Sequence, residues 1–274
     1  MNIRQGPVFL ILLMQLTQVQ GATEIEMINE RTVNGETQRY IVNALYENKK
    51  SRYTLSDPDD STTGAGIYLL SDDDGKTAYY IDSNTNSCHR CSNAEFTETL
   101  SNFLLKSKGK FNVETSDMEI EKLLEEPSEK IHGIPTTHVR YALSLNAGYR
   151  YTLLKGQYAL QRQADIWSAP ESETFSSIVP LFQDIWRYTG TDELDPKISS
   201  VVGTGTRFQM RSEIKQTRTN SKGEKTTTKI VQYIKTMQEV SEPPVGTFQV
   251  PDCKIMSTKK MEKKFKALLK SLLS

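Results

Sequence analysis

Cys88 and Cys91 stand three residues apart in the run NSCHRCSNAEF, with His89 and Arg90 between them, and the chain's third cysteine, Cys253, lies near the C-terminus. C-x-x-C spacing supports three chemistries: a redox dithiol, a metal clamp or a covalent staple. A dithiol needs one acidified thiol. A helix N-terminus, or a neighbouring His89 or Arg90, would supply that by stabilising the thiolate. Ile134-Pro135 in IHGIPTTHV adds a local likeness to thioredoxin, where a proline sits beside the disulfide. The flanks disagree: residues 37–87 read as consecutive hairpins rather than a strand, helix, strand unit, and the polar DSNTNS stands where an apolar strand is needed. Zinc would need further ligands, yet His132 and His138 show no paired spacing and neighbours on an extended chain point to opposite sides. In an oxidising compartment the staple is the simplest use. The sequence reading favours a Cys88–Cys91 disulfide with Cys253 free and buried, against a Cys253 pairing that would close a much longer loop.

Other reactive combinations are sparse. With three histidines and no G-x-S-x-G, nothing marks a hydrolase. Glu125-Glu126 reads as a solvated helix face, and Asp72-Asp73-Asp74 lacks the alternating ligands and distal Glu of a calcium loop. No cofactor and no metal site is expected.

The elements that position these residues are mostly strands. TQRYIVNALYEN and KSRYTLSD follow one another, and GAGIYLLSDDDGKTAYYIDS holds two strands about Asp74-Gly75, a hairpin signal because a tight turn needs positive φ. NAEFTETLSNFLLKS places Phe96, Leu100, Phe103 and Leu104 on one helical stripe. DMEIEKLLEEPSEK reads as a short helix or long loop between strands around GKFNVETS and IPTTHVRYALSL. YRYTLLKGQYALQRQADIWSAP reads as a hairpin turning at Lys155-Gly156. TFSSIVPLFQDIWRYTG forms a second helix, kinked or broken at Pro180. Phe208, Met210, Ser212 and Ile214 then alternate with Arg207, Gln209, Arg211 and Glu213 along a strand that turns at Asn-Ser-Lys-Gly. The expectation is about ten strands and two to three helices around one sheet, mainly β with helices (α+β).

The ends of the chain carry their own signals. MNIRQGPVFLILLMQLTQVQGATE has one basic residue, a short apolar run from Val8 to Leu16 and small residues before a cut after Gly21, as a secretory signal peptide has. Removing residues 1–21 takes Arg4 alone from 34 basic and 34 acidic side chains, so the mature chain is nearly neutral. That balance offers no footprint for nucleic acid. At the other end, STKKMEKKFKALLKSLLS sets Met261, Phe265, Leu268, Leu269 and Leu272 against a lysine-rich face. Such a helix either docks across the sheet or lies on an anionic membrane.

Several short segments, in order, resemble the LolA/LolB-like lipoprotein-carrier superfamily: ENKKSRYTLSD with Arg52, KTAYYIDSNTNSC before the first helix, EKIHGIPTTHVRY with Gly133, ADIWSAPE with Trp167, VGTGTRFQMRSEIKQ, and EVSEPPVGTFQVPDCKI with Phe248 before Val250-Pro251. The resemblance spans about residues 25–255. It implies a curved antiparallel half-barrel lidded by two to three helices around an apolar cavity. It also implies Arg52 as a lid or cargo contact, and Tyr40, Val42, Tyr53, Ile67, Leu69, Ile166, Trp167 and Phe208 as cavity candidates. The organisation expected is a signal peptide at 1–21, a LolA-like domain at 22–255 and a basic amphipathic helix at 256–274. The function expected is a non-catalytic periplasmic carrier, a monomer that holds a hydrophobic ligand or acylated protein in outer-membrane biogenesis. The alternatives are a thiol-disulfide oxidoreductase using Cys88 and Cys91, and a structural envelope module.

Overall fold

The computed structural model describes residues 21–56, 65–73, 76–92, 95, 112–151, 154–170, 197, 200–201 and 208–272. The leader and the helices expected over 93–107 and 174–190 fall almost wholly outside these residues. Among them the chain is mostly β. The strands are β1 (Ala22–Val33), β2 (Glu36–Glu47), β3 (Lys50–Ser56), β4 (Ile67–Ser71), β5 (Thr77–Asp82), β6 (Ser87–Ser92), β7 (Asn112–Ile131), β8 (Ile134–Tyr151), β9 (Leu154–Ser168), β10 (Gln209–Asn220), β11 (Lys225–Val240) and β12 (Lys254–Ile255), followed by one long helix, α1 (Thr258–Leu272). They form a single sheet in the order β12-β6-β5-β4-β3-β2-β1-β11-β10-β9-β8-β7, which is open: β12 and β7 are its ends. Every pairing is antiparallel except β12 with β6.

Tight turns set most of this register. Asn34 and Gly35 both take positive φ, as do Asn48 with Lys49 and His132 with Gly133, and each pair joins strands whose flanking residues face each other directly. That is the two-residue turn whose twist matches a hairpin. The Asn220–Gly223 turn closes as expected, with the Gly223 N–H donating to the Asn220 carbonyl at 2.9 Å.

Two expected elements differ. DMEIEKLLEEPSEK is neither helix nor loop but the body of β7, paired to β8 over its whole length. Its charges mask a period-two pattern, and bulges between Ser116 and Glu119, Lys122 and Leu124, and Ser128 and Lys130 shift the inward-facing set. The β8–β9 hairpin does not turn at Lys155-Gly156. Tyr151 pairs with Leu154, and Lys155 and Gly156 already lie in the ladder.

The main core lies on one face, built from Ile25 and Met27 of β1, Val42, Ala44 and Tyr46 of β2, Tyr53 and Leu55 of β3, Leu69 of β4, Ala78 and Tyr80 of β5, Cys91 of β6, Met210 of β10 and Ile234 of β11. We term this the inner face. The far wing bends over it: Ile131 and Ile134, at the β7–β8 turn, pack against that core, and His132 Nε2 donates to the Ile234 carbonyl at 3.0 Å. Three strand spacings separate β8 from β11, roughly 14 Å in a flat sheet. The wing therefore curls towards the inner face.

The C-terminal segment wraps the opposite edge. Val250 and Cys253 pack with Leu70, Ile81 and Cys88 on the outer face, while Met256 and Met261 join the inner core. Between them β12 adds to β6, with the Lys254 N–H donating to the Asn86 carbonyl at 3.0 Å and the Met256 N–H to the Cys88 carbonyl at 2.7 Å. Helix α1 then packs on β2 and β6. The sheet edge at β6 is thus straddled from both faces.

Candidate functional site

The inner face gathers most of the residues the sequence singled out. Val42, Tyr53, Leu69 and Phe208 are fully buried in one cluster, with Tyr40 and Ile67 partly buried against it. Ile166 is buried on the same face, opposite Val139 and Ser212. Tyr46 and Tyr53 meet edge to face with ring centroids 5.7 Å apart. Burial pushes the Tyr53 hydroxyl up to about 12 and raises Tyr46 well above the usual phenol range. Both remain neutral donors at physiological pH. Asn29 is 7% exposed, and among the described residues its Nδ2 has no hydrogen-bond partner. A buried amide N–H on an apolar face costs about 1–3 kcal/mol unless something satisfies it.

Two candidates do not join this face. Arg52 pairs with Leu45 and Leu70 on the outer face and lies 4.1 Å from the Tyr68 ring centroid. Trp167 is also on the outer face, stacked flat on His138 at 4.3 Å with the Arg211 guanidinium 4.8 Å from its ring. His138 Nε2 donates to Asp165 Oδ1 at 2.8 Å, Arg140 Nε donates to the same oxygen at 2.6 Å, and Gln163 donates to Oδ2 at 2.9 Å. Burial alone would raise the Asp165 carboxyl. Hydrogen bonds from Gln163, Arg140 and His138 outweigh it and hold the group below its usual range.

The expected cysteine pairing is corrected. The disulfide joins Cys88 to Cys253, and Cys91 is a free, buried thiol. The segment SCHRCS is strand β6, so side chains alternate and residues three apart face opposite ways. Cys88 accordingly lies in the outer cluster with Cys253, and Cys91 in the inner core. Cys91 donates to the Ala78 carbonyl at 3.6 Å, and burial pushes its thiol up to about 11. That geometry gives the two cysteines of the motif no means of exchanging a disulfide with each other. His89 is occupied by the strap: its Nδ1 donates to the Met256 carbonyl at 2.9 Å. Among the described residues no group of three or more His, Cys, Asp or Glu side chains is placed to hold a metal ion.

Of the helical stripe, Met261 is fully buried in the inner core, while the side chains of Phe265, Leu268, Leu269 and Leu272 lie outside the described set. Lys264 Nζ pairs with Asp82 and donates to Thr85 Oγ1 at 2.7 Å. Lys259, Lys260 and Lys263 are exposed. Among the described residues no helix is long and apolar enough to cross a membrane.

One residue was overlooked in the sequence. Arg162 lies on the inner-face register of β9, between Leu160 and Ala164, opposite Leu143 on one side and Gln216 on the other. Its Nε and Nη2 both donate to Gln216 Oε1, at 3.1 and 2.6 Å, and burial lowers its pKa. The signal was present in QYALQRQADIW: an arginine occupying the apolar parity of an otherwise alternating strand.

No family model matches the chain, and no curated protein matches it. Two solved structures are similar at low levels. One is a structure of PNGF-II, at 11% identity and a TM-score of 0.38, covering 90% of this chain but 33% of the other, so this chain spans about a third of that one's length. The other is a DUF1329 family protein from Desulfovibrio piger, at 10% identity and a TM-score of 0.28, covering 85% and 92% of the two chains.

Proposed function

We propose that the protein is a distant LolA-like carrier that holds a hydrophobic or acylated ligand against the inner face of its sheet and performs no catalysis on it. The observation that carries this reading is the inner face itself, an apolar surface running through β1 to β6 and on through β10 and β11, over which the β7–β8 turn and helix α1 both fold. Burial of an acyl chain there would be driven by removal of apolar surface from water, about 25 cal/mol per Å². The Asn29 amide, which has no partner among the described residues, gives such a ligand one polar contact to satisfy. The exposed lysines of α1 supply a surface for approach to an anionic membrane. The Cys88–Cys253 disulfide suits an exported, oxidising location such as the periplasm.

Native mass spectrometry of protein isolated without detergent tests this. A mass excess that denaturation releases as lipid or acylated peptide is the expected result. A chain that carries no adduct and takes up none from mixed lipid extract would overturn the reading in favour of a filled structural core.

A further inference from the structure

Among the described residues, the inner face of the β8–β11 wing carries positive charge without a counter-charge. By register its residues are Val139, Tyr141, Leu143 and Leu145 on β8, alternate positions from Tyr158 to Ile166 on β9, Ser212 to Arg218 on β10 and Thr226 to Gln232 on β11. No aspartate or glutamate is among them. Arg162 and Arg218 are, one diagonal step apart, where side chains still interact. Arg218 lies 3.8 Å from the Tyr158 ring centroid, and among the described residues neither arginine has a carboxylate in ion-pair range. Around them Leu143, Leu145, Tyr158 and Leu160 form a second apolar cluster with Met118 and Ile120.

The guanidinium of Arg162 is held and half used. A guanidinium has five N–H donors in a planar fork. Gln216 Oε1 takes one from Nε and one from Nη2. Among the described residues three remain without an acceptor, including the parallel pair along the Nη1–Nη2 edge, which matches the two oxygens of a carboxylate. A cation drawn out of water beside leucines is costly unless compensated, and a neutral amide compensates only in part.

We infer that Arg162, supported by Arg218, is the headgroup receptor for a single-chain fatty carboxylate whose tail lies along the apolar inner face. This rests on the carrier reading and adds the ligand's charge and class. The carboxylate takes the free edge of Arg162, Gln216 holds the guanidinium plane in place, and Arg218 adds long-range attraction. A ligand without the charge would gain the tail contacts alone.

The test uses the full-length mature protein and three probes, oleate, oleyl alcohol and oleoyl-lysophosphatidate, titrated calorimetrically into wild type, Arg162→Gln, Arg162→Lys and Arg218→Gln. A charge-assisted hydrogen bond corresponds to roughly 10- to 100-fold in affinity. Wild type should therefore prefer oleate to oleyl alcohol by at least about tenfold. Arg162→Gln should abolish that preference while leaving oleyl alcohol within about twofold, which also shows that the variant is folded. Arg162→Lys should keep part of it, and Arg218→Gln should reduce it less than Arg162→Gln. Equal binding of oleate and oleyl alcohol to wild type overturns the headgroup site and leaves the carrier reading standing. A preference that survives Arg162→Gln also overturns it. Tighter binding of the phosphate probe by tenfold or more overturns the carboxylate assignment. Binding of none of the three overturns both inferences.

Discussion

Side chains alternate along an extended strand, so Cys88 and Cys91 were bound to face opposite sides of β6 once SCHRCS became a strand. The parity was legible in the sequence. The neighbouring apolar run suggested instead a cysteine at a helix start, and proximity in sequence then favoured the wrong partner. The corrected state has direct chemical consequences. Peptide mapping under non-reducing conditions should give a Cys88–Cys253 linkage and one free thiol at Cys91. Because burial pushes Cys91 up to about 11 from its ordinary 9.0, native protein at pH 8 should resist alkylation by iodoacetamide, whereas denatured protein should label fully at one site. The sign for stability follows: a raised folded pKa contributes stability that is complete below pH 9 and is lost as pH rises towards 11. Substituting Cys91 with alanine should flatten that alkaline loss in a urea titration series. Labelling of Cys91 in the native state at pH 8 would contradict the buried placement.

Elements were easiest to read where turn chemistry and apolar alternation agreed, as in β2, β3 and β10, and hardest where charge hid the pattern. Strand β7 is the clearest example. Its glutamates and Pro127 suggest helix or loop, yet they are also what a protein places on a sheet edge to prevent pairing with another chain, and β7 is one end of this sheet. Replacing Glu119 and Glu121 with valine should therefore leave the monomer folded but promote edge-to-edge association, measurable as a concentration-dependent mass increase by light scattering. An unchanged monomer at high concentration would show that the bulges alone protect the edge. Helix α1 makes the second element-scale prediction. Met261 is fully buried in the inner core, so Met261→Ala should cost about 2–5 kcal/mol in urea unfolding. Asp82 anchors the same helix through Lys264: burial would raise its carboxyl, but hydrogen bonds from Lys264 and Thr85 lower it overall. The depressed pKa means that this contribution is present above about pH 4 and lost as pH falls through the folded value. Asp82→Asn should remove that acid-dependent part of the stability.

At the scale of the whole molecule, the β6 edge depends on a C-terminal strap, of which the sequence shows a basic amphipathic helix that either docks across the sheet or lies on an anionic membrane. The segment crosses from outer to inner face, with Cys253 fixed on one side and Met256 and Met261 on the other. Nothing local in the sequence announces this, because the partners are separated by 165 residues and the register of β12 on β6 is only two residues long. The long separation is also why the bond matters. In the chain-entropy model a loop of that length stabilises by about 5 kcal/mol, an upper value that residual structure in the unfolded chain reduces. Reduction should consequently act in two ways that can be told apart. Global stability should fall by about 3–5 kcal/mol in denaturant titrations with and without reductant, and the same loss should appear in Cys253→Ser without reductant. Under native conditions hydrogen exchange should accelerate first in residues 253–272 and in β6, since β12, the His89 contact to the Met256 carbonyl and the docking of Met261 all lie just beyond the disulfide. Cys88→Ser should reproduce that pattern and Cys91→Ala should not. If exchange instead accelerates uniformly over the sheet, the bond contributes only through the unfolded chain, and α1 holds its place on the inner face without it.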